Sequence, residues 1–65
     1  MRPAARDAGA ADEHFGTAVE ALKRQEYAAA LQHLEAARQL CPLDRQAALA
    51  KIDRYLAAVA VKLKQ

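Results

Sequence analysis

The chain has 65 residues, of which 54% are hydrophobic, and a formal net charge of +2. Eighteen residues are alanine, whereas Leu, Ile, Val and Phe together number only 13. This length allows one small domain, and an alanine core buries little apolar surface per residue, so we expect a marginal stability that a partner or a second copy would raise. Because Ala, Leu, Glu, Gln, Lys and Arg are the best helix formers, the composition predicts an all-α fold.

The cysteine count and the hydropathy of the chain bear on its cellular compartment. A single cysteine cannot form an internal disulfide, which favours a reducing compartment and a cytoplasmic location. The first residues, MRPAARDAGAADEH, contain no continuous apolar stretch of the kind that a signal peptide needs. No run of about 18 uninterrupted apolar residues occurs, so we expect no transmembrane segment.

The predicted helices begin after a short leader. Residues 1–9 show no apolar period, so we expect a flexible leader followed by a domain over residues 10–65. The first helix should start at Ala10 or Ala11, with Asp7 or Asp12 accepting its first free amides. It should end near Arg24 and Gln25.

Gly16 lies inside this first helix and costs about 1 kcal/mol relative to alanine. Its presence indicates either a close approach by a neighbouring helix or a weaker helix.

The second helix is predicted from Tyr27 to Leu40. Leu31, Leu34 and neighbouring alanines form its apolar side. Pro42 should end the helix, because the residue before a proline is pushed away from helical dihedral angles. Asp44 is placed to cap the helix that follows.

The third helix, over about residues 45–63, has the clearest apolar period of the chain. One face carries Ala48, Leu49, Ile52, Tyr55, Leu56, Val59 and Leu63. We expect this face to close a three-helix antiparallel bundle whose core contains Tyr27, Leu34, Ala37, Ile52, Tyr55 and Leu56. The opposite side carries small residues and Arg54 where a solvated helix would normally carry charge, which indicates either a contact surface or alanines chosen for helix propensity. These small residues are Ala47, Ala50, Ala57, Ala58 and Val61.

Residues 25–44 read QEYAAALQHLEAARQLCPLD. Aromatic, small, large, small and proline positions follow one another here as Tyr27, Ala30, Leu34, Ala37 and Pro42. This order resembles the second helix of a tetratricopeptide repeat, and the resemblance extends over about residues 11–44. Gln25 falls at the turn glycine of that family. The resemblance implies a helical hairpin with the third helix as a cap.

A second resemblance involves both ends of the chain. Two sets of residues are similar to the MIT domain, a three-helix bundle. The first set is Ala18-Val19-Glu20 with Tyr27, Ala30 and Leu31, and the second is residues 50–56 with Ala60, Leu63 and Lys64. The stretch that joins Tyr27 to Tyr55 is shorter than in ordinary members of that family. Both resemblances imply recognition of a helical or extended peptide in a groove between helices.

We therefore predict a non-catalytic protein–protein interaction module, an adaptor or a small chaperone, that binds an amphipathic helix of acidic character. The expected groove lies between the second and third helices. Its predicted partner-binding residues are Ala29, His33, Ala36, Ala50, Arg54, Ala57, Val61 and Lys62. The alternatives are a self-associating homo-oligomer and, more weakly, a basic face for nucleic acid or anionic membranes.

No catalytic, cofactor or metal site is expected from the sequence. His14, His33 and Cys41 contain no pair spaced by four residues, and a metal site needs at least three ligands held together. No acid is placed to orient a Cys41–His33 pair for nucleophilic catalysis. Nucleic-acid binding is expected to be unlikely, because Phe15, Tyr27 and Tyr55 occupy core-facing positions.

Overall fold

Three helices occupy most of residues 6–65, the part of the chain that the computed structural model describes. They are α1 (Ala8–Lys23), α2 (Tyr27–Leu40) and α3 (Gln46–Lys64). The short connections make neighbouring helices antiparallel. α2 packs closely against α1 and against α3, whereas the backbones of α1 and α3 hardly approach each other. The predicted three-helix all-α bundle is confirmed, with α2 as its central element.

Helix α1 begins at Ala8, two or three residues earlier than the expected start at Ala10 or Ala11. Asp7 is its N-cap, and its Oδ1 accepts hydrogen bonds from the amides of Gly9 at 2.9 Å and Ala10 at 3.3 Å. An aspartate in this position satisfies amides that have no partner within the helix. Asp7, and not Asp12, is therefore the capping residue.

The residues before α1 attach to the end of α2. The Asp7 amide donates to the Leu40 carbonyl at 2.7 Å, and Arg6 Nη1 donates to the carbonyls of Cys41 at 2.9 Å and Arg38 at 3.3 Å. A cation here suits the negative end of the α2 dipole. Of the predicted leader, residues 1–5 lie outside the described part of the chain, whereas residues 6–9 belong to the folded unit.

The α1–α2 turn places a non-glycine residue in the left-handed region. Gln25 has a φ of 63°, the one positive φ among the described non-glycine residues. Its amide donates to the Leu22 carbonyl at 3.0 Å, and the Glu26 amide donates to the Ala21 carbonyl at 2.8 Å. These two bonds form a Schellman motif, in which glycine is the favoured residue at the Gln25 position.

The start of α3 differs from the prediction. Arg45, and not Asp44, occupies the N-cap position, and no side chain caps the helix. The Arg45 amide donates to the Pro42 carbonyl at 3.1 Å, so the turn after Pro42 runs one residue further than expected. Asp44 therefore lies one position too early to accept the free amides of α3.

The core is small and rich in alanine. Leu34, Ala37 and Ile52 are buried as predicted, whereas Tyr27, Tyr55 and Leu56 are half-buried and pack against the core. The buried residues of α1 are all alanines. Small side chains let two helix backbones approach closely, which accounts for the close α1–α2 contact. The buried residues are Ala11, Ala18, Ala21, Ala30, Leu34, Ala37, Cys41, Ile52 and Val59.

Gly16 is not needed for this close approach. A Cβ atom built at Gly16 would meet nothing within 4 Å, and the residue is exposed. Of the two explanations for this glycine, the structure supports the weaker helix.

The end of α3 extends beyond the other helices. α3 has 19 residues and α2 has 14, and every residue from 60 to 65 is exposed. Leu63, expected on the face that closes the bundle, is 47% exposed. That expectation was wrong because α2 begins only at Tyr27, so its first turn does not reach the last turn of the antiparallel α3.

Candidate functional site

A groove separates α1 from α3, because both pack on α2 and only long side chains join them. Phe15 on α1 and Tyr55 on α3 meet edge to face, with ring centroids 5.0 Å apart. Lys51 Nζ lies 5.7 Å from the centroid of the Phe15 ring. Such aromatic and cation–π contacts are favourable beyond the apolar area that they bury. We call the depression beside this bridge the α1–α3 groove.

The groove contains a cavity of about 70 Å³ at the end where the chain passes from α2 to α3. Small and apolar side chains form most of its wall, and Cys41 closes it from the α2 side. Charged side chains of both signs, from Asp12, Arg45 and Lys51, also contribute. The remaining lining residues are Ala8, Ala11, Phe15, Ala48 and Ile52.

The structure divides the predicted partner-binding residues into two groups. Ala29, His33 and Ala36 are half-buried on one face of α2. His33 contacts His14 of α1, so this face turns toward α1. It does not turn toward α3 as expected.

The second group lies on the outer face of α3, which we define as Ala50, Arg54, Ala57 and Val61. All four residues are exposed, as is Lys62 in the last turn. At about 100° per residue they lie opposite Ile52, which is buried. The two groups therefore do not line one groove.

An ion pair occupies the seam where the groove was expected. Arg38 Nε donates to Asp53 Oδ1 at 2.6 Å between α2 and α3. Both side chains are about half exposed, at 56% and 51%, so the pair contributes little to stability. The accessible apolar depression lies instead on the other side of α3, against α1.

Two histidines meet on the α1–α2 side of the bundle, which we call the histidine pair, His14 and His33. Their Nδ1 atoms are 3.2 Å apart, and their ring centroids are 5.4 Å apart with planes tilted by 30°. Both side chains are half-buried. Sequence reasoning missed this contact because it searched for histidines four residues apart on one helix. The signal that could have revealed the contact is the predicted antiparallel hairpin, because His14 precedes and His33 follows the Gln25 turn by similar numbers of residues.

Other chemistry-bearing groups are dispersed. Within residues 6–65, no group of three or more His, Cys, Asp and Glu side chains is placed to hold a metal ion. Cys41 is buried, and its Sγ lies 3.7 Å from the Pro42 carbonyl oxygen. In the same range no helix is long and apolar enough to cross a membrane.

No protein-family model matches the chain, and neither a curated protein nor a solved structure matches it significantly.

Proposed function

We propose that this chain is a non-catalytic protein–protein interaction module, an adaptor or a small cytoplasmic chaperone, that holds a helical or extended segment of a partner in the α1–α3 groove. The supporting observation is the apolar cavity between two helices whose backbones hardly approach each other. The resemblance of residues 11–44 to a tetratricopeptide hairpin and that of the two ends of the chain to an MIT domain support the same activity. A segment laid between α1 and α3 would supply the packing that these two helices lack.

The size of the cavity favours a peptide anchor over a metabolite. Sites for small molecules usually have volumes of about 300–1,000 Å³. The cavity here has a volume of about 70 Å³, well below that range. A partner would therefore insert one residue such as Val or Leu beside Phe15 and Ala48. Its remaining residues would lie along the groove.

Charge on the α3 side favours an acidic segment. Arg45 and Lys51 line the cavity from α3, against Asp12 from α1. Basic groups at the rim raise the rate of association with acidic partners and set their direction. The partner segment that fits best is therefore apolar at its anchor and acidic on the side that faces α3.

Selection from a displayed library of helical peptides, followed by titration, tests the proposal. We expect acidic amphipathic peptides to be enriched, and Ala48→Phe, which fills the cavity, to weaken their binding by more than about tenfold through loss of the anchor site. Ala28→Phe, at an exposed position of α2, is the matched control and should leave the affinity unchanged. Equal binding by the wild type and Ala48→Phe, with both folded by circular dichroism, would refute the groove as the site.

Self-association through the outer face of α3 is the second candidate, and the exposed side chain of Val61 favours it. Val61 is 56% exposed and Leu63 is 47% exposed on the part of α3 that extends beyond α2. Two copies packed about a two-fold axis on the outer face would cover Val61, whereas Leu63 lies about 200° away around α3 and would remain outside that contact. Sedimentation over a wide concentration range is the test, with Val61→Asp expected to abolish any dimer and leave helicity intact. A chain that stays strictly monomeric at high concentration would refute self-association and leave peptide binding in the α1–α3 groove as the remaining proposal.

Nucleic acid or an anionic membrane remains the weakest alternative. Phe15, Tyr27 and Tyr55 are half-buried against the core and so offer no stacking surface. The observation that favours this alternative is a set of exposed cations, Lys51, Arg54, Lys62 and Lys64.

A further inference from the structure

We infer that the histidine pair is a binding site for a divalent transition-metal ion, held by the Nδ1 atoms of His14 and His33 so that the ion joins α1 to α2. This site is separate from the α1–α3 groove and does not depend on the proposed peptide binding.

The distance between the two nitrogens carries the inference. Zinc binds histidine nitrogen at about 2.0–2.1 Å, so two nitrogens on a tetrahedral ion lie about 3.3 Å apart. In the structure the two Nδ1 atoms are 3.2 Å apart. The helices therefore already hold the two nitrogens at chelating distance, and the rings must reorient so that both lone pairs point at one ion.

The protonation of the pair is compatible with metal binding. At 3.2 Å one ring must present an Nδ1–H group and the other its Nδ1 lone pair, because two N–H groups would point at each other. When a metal ion binds, the ring that carries its proton on Nδ1 moves that proton to its own Nε2, so that both Nδ1 lone pairs face the ion and both imidazoles stay neutral.

The surroundings supply negative charge and free coordination positions. Asp12, Glu13 and Glu20 line the same shallow surface depression as the histidine pair. These exposed carboxylates raise the local concentration of cations. Because the depression is open to solvent, water can complete the coordination of an ion that has two protein ligands. With two protein ligands, fewer than the three expected of a metal site from the sequence, the site is suited to an exchangeable ion, in contrast to the closed sites of structural zinc proteins.

The experiment is calorimetric titration of the full chain with Zn²⁺, Ni²⁺, Cu²⁺ and Mn²⁺, together with thermal unfolding. We expect binding of one ion per chain, with Cu²⁺ the tightest and Mn²⁺ the weakest, the order for imidazole ligands. Free metal at about one hundred times its dissociation constant should raise the melting temperature by roughly 10–20 °C, because the ion binds only the folded hairpin. His14→Gln and His33→Gln should each weaken binding by more than about tenfold. Loss of a residue that only hydrogen-bonds to a metal ligand already weakens metal affinity by about that factor.

Two controls make the outcome decisive. Cys41→Ala should bind as the wild type does, and loss of binding in that variant would assign the ion to the thiol and overturn the inference. The electron paramagnetic resonance spectrum of the Cu²⁺ complex of the wild-type chain should show splitting by two equivalent nitrogens, a readout that requires no folded variant. Equal binding by the wild type and a folded His14→Gln, His33→Gln double variant, or no rise in melting temperature, would also overturn it.

Discussion

The α1–α2 hairpin and helix α3 are built in different ways. In the hairpin, buried alanines bring two backbones together, Asp7 caps the first helix, and a Schellman motif closes the turn. In α3 no side chain caps the first turn, the last turn extends beyond α2, and contact with α1 depends on Phe15 and Tyr55. Helix α1 thus has satisfied ends and a backbone close to that of α2, whereas α3 is attached by side chains. The first turn of α2, like that of α3, has no side-chain cap. We expect α3 to open at a lower free energy than the hairpin.

The largest effect should come from placing a charge in the part of the core that both regions share. Leu34 is fully buried on the central helix, so Leu34→Asp should abolish the cooperative unfolding transition seen by circular dichroism. Leu43, 67% exposed in the α2–α3 connection, provides the matched control, and Leu43→Asp should leave the transition in place. Equal behaviour of the two variants would show that the core has been assigned wrongly.

Removal of the aromatic bridge should separate the two regions. Phe15→Ala deletes the ring that meets Tyr55 and Lys51, and we expect a loss of about 2 kcal/mol, below the range for fully buried phenylalanines because Phe15 is half-buried. Hydrogen exchange followed residue by residue should show faster exchange across α3, with little change in the centre of α2. Uniform loss of protection in all three helices would mean that the molecule opens as a single unit.

The missing cap of α3 can be supplied. Arg45→Ser places a hydroxyl at the N-cap position and should raise stability by about 1 kcal/mol, measured by denaturant unfolding. Asp44→Ala tests the neighbouring position and should change stability by less than half of that amount, because Asp44 does not cap the helix. A larger loss from Asp44→Ala than gain from Arg45→Ser would restore Asp44 as the cap.

The smallest effect concerns the turn of the hairpin. Gln25→Gly relieves a left-handed conformation, and we expect a gain of up to about 1 kcal/mol, reduced by the greater freedom of glycine in the unfolded chain. Gln25→Ala keeps a Cβ atom at the same φ and should give no comparable gain. The measurement is the melting temperature of the two variants, and only Gln25→Gly should show a rise.

Much of the fold could be predicted because its signals are local. Tyr27–Leu40 was predicted to the residue, since Pro42 ends α2 and the preceding turn was already suggested by the tetratricopeptide pattern. The cap of α3 was placed one residue early because Asp44 has the right chemistry, while the length of the turn after Pro42 depends on packing. Leu63 has the right periodicity for the core, but its burial depends on the length of another helix.

The candidate site was harder to predict, since it depends on how helices rotate against each other. Ala29 and His33 were assigned to the α3 side of α2, yet one residue turns a helix by about 100° and the alanine-rich faces of α2 differ little in hydrophobicity. Arg38, which pairs with Asp53, marks the true α3 side. The contact between His14 and His33 also follows from this rotation, and no spacing along a single helix encodes it.

An odd number of antiparallel helices has a mechanical consequence. The chain enters α1 at one end of the bundle and leaves α3 at the other, and the longest dimension of the molecule is 39 Å. Force applied at the two termini would run parallel to the helix axes and load the interhelical packing in shear, so many contacts would have to yield together. Inserted between two larger domains, such a bundle would hold its neighbours apart, and we expect α3 to be the part that yields first under load.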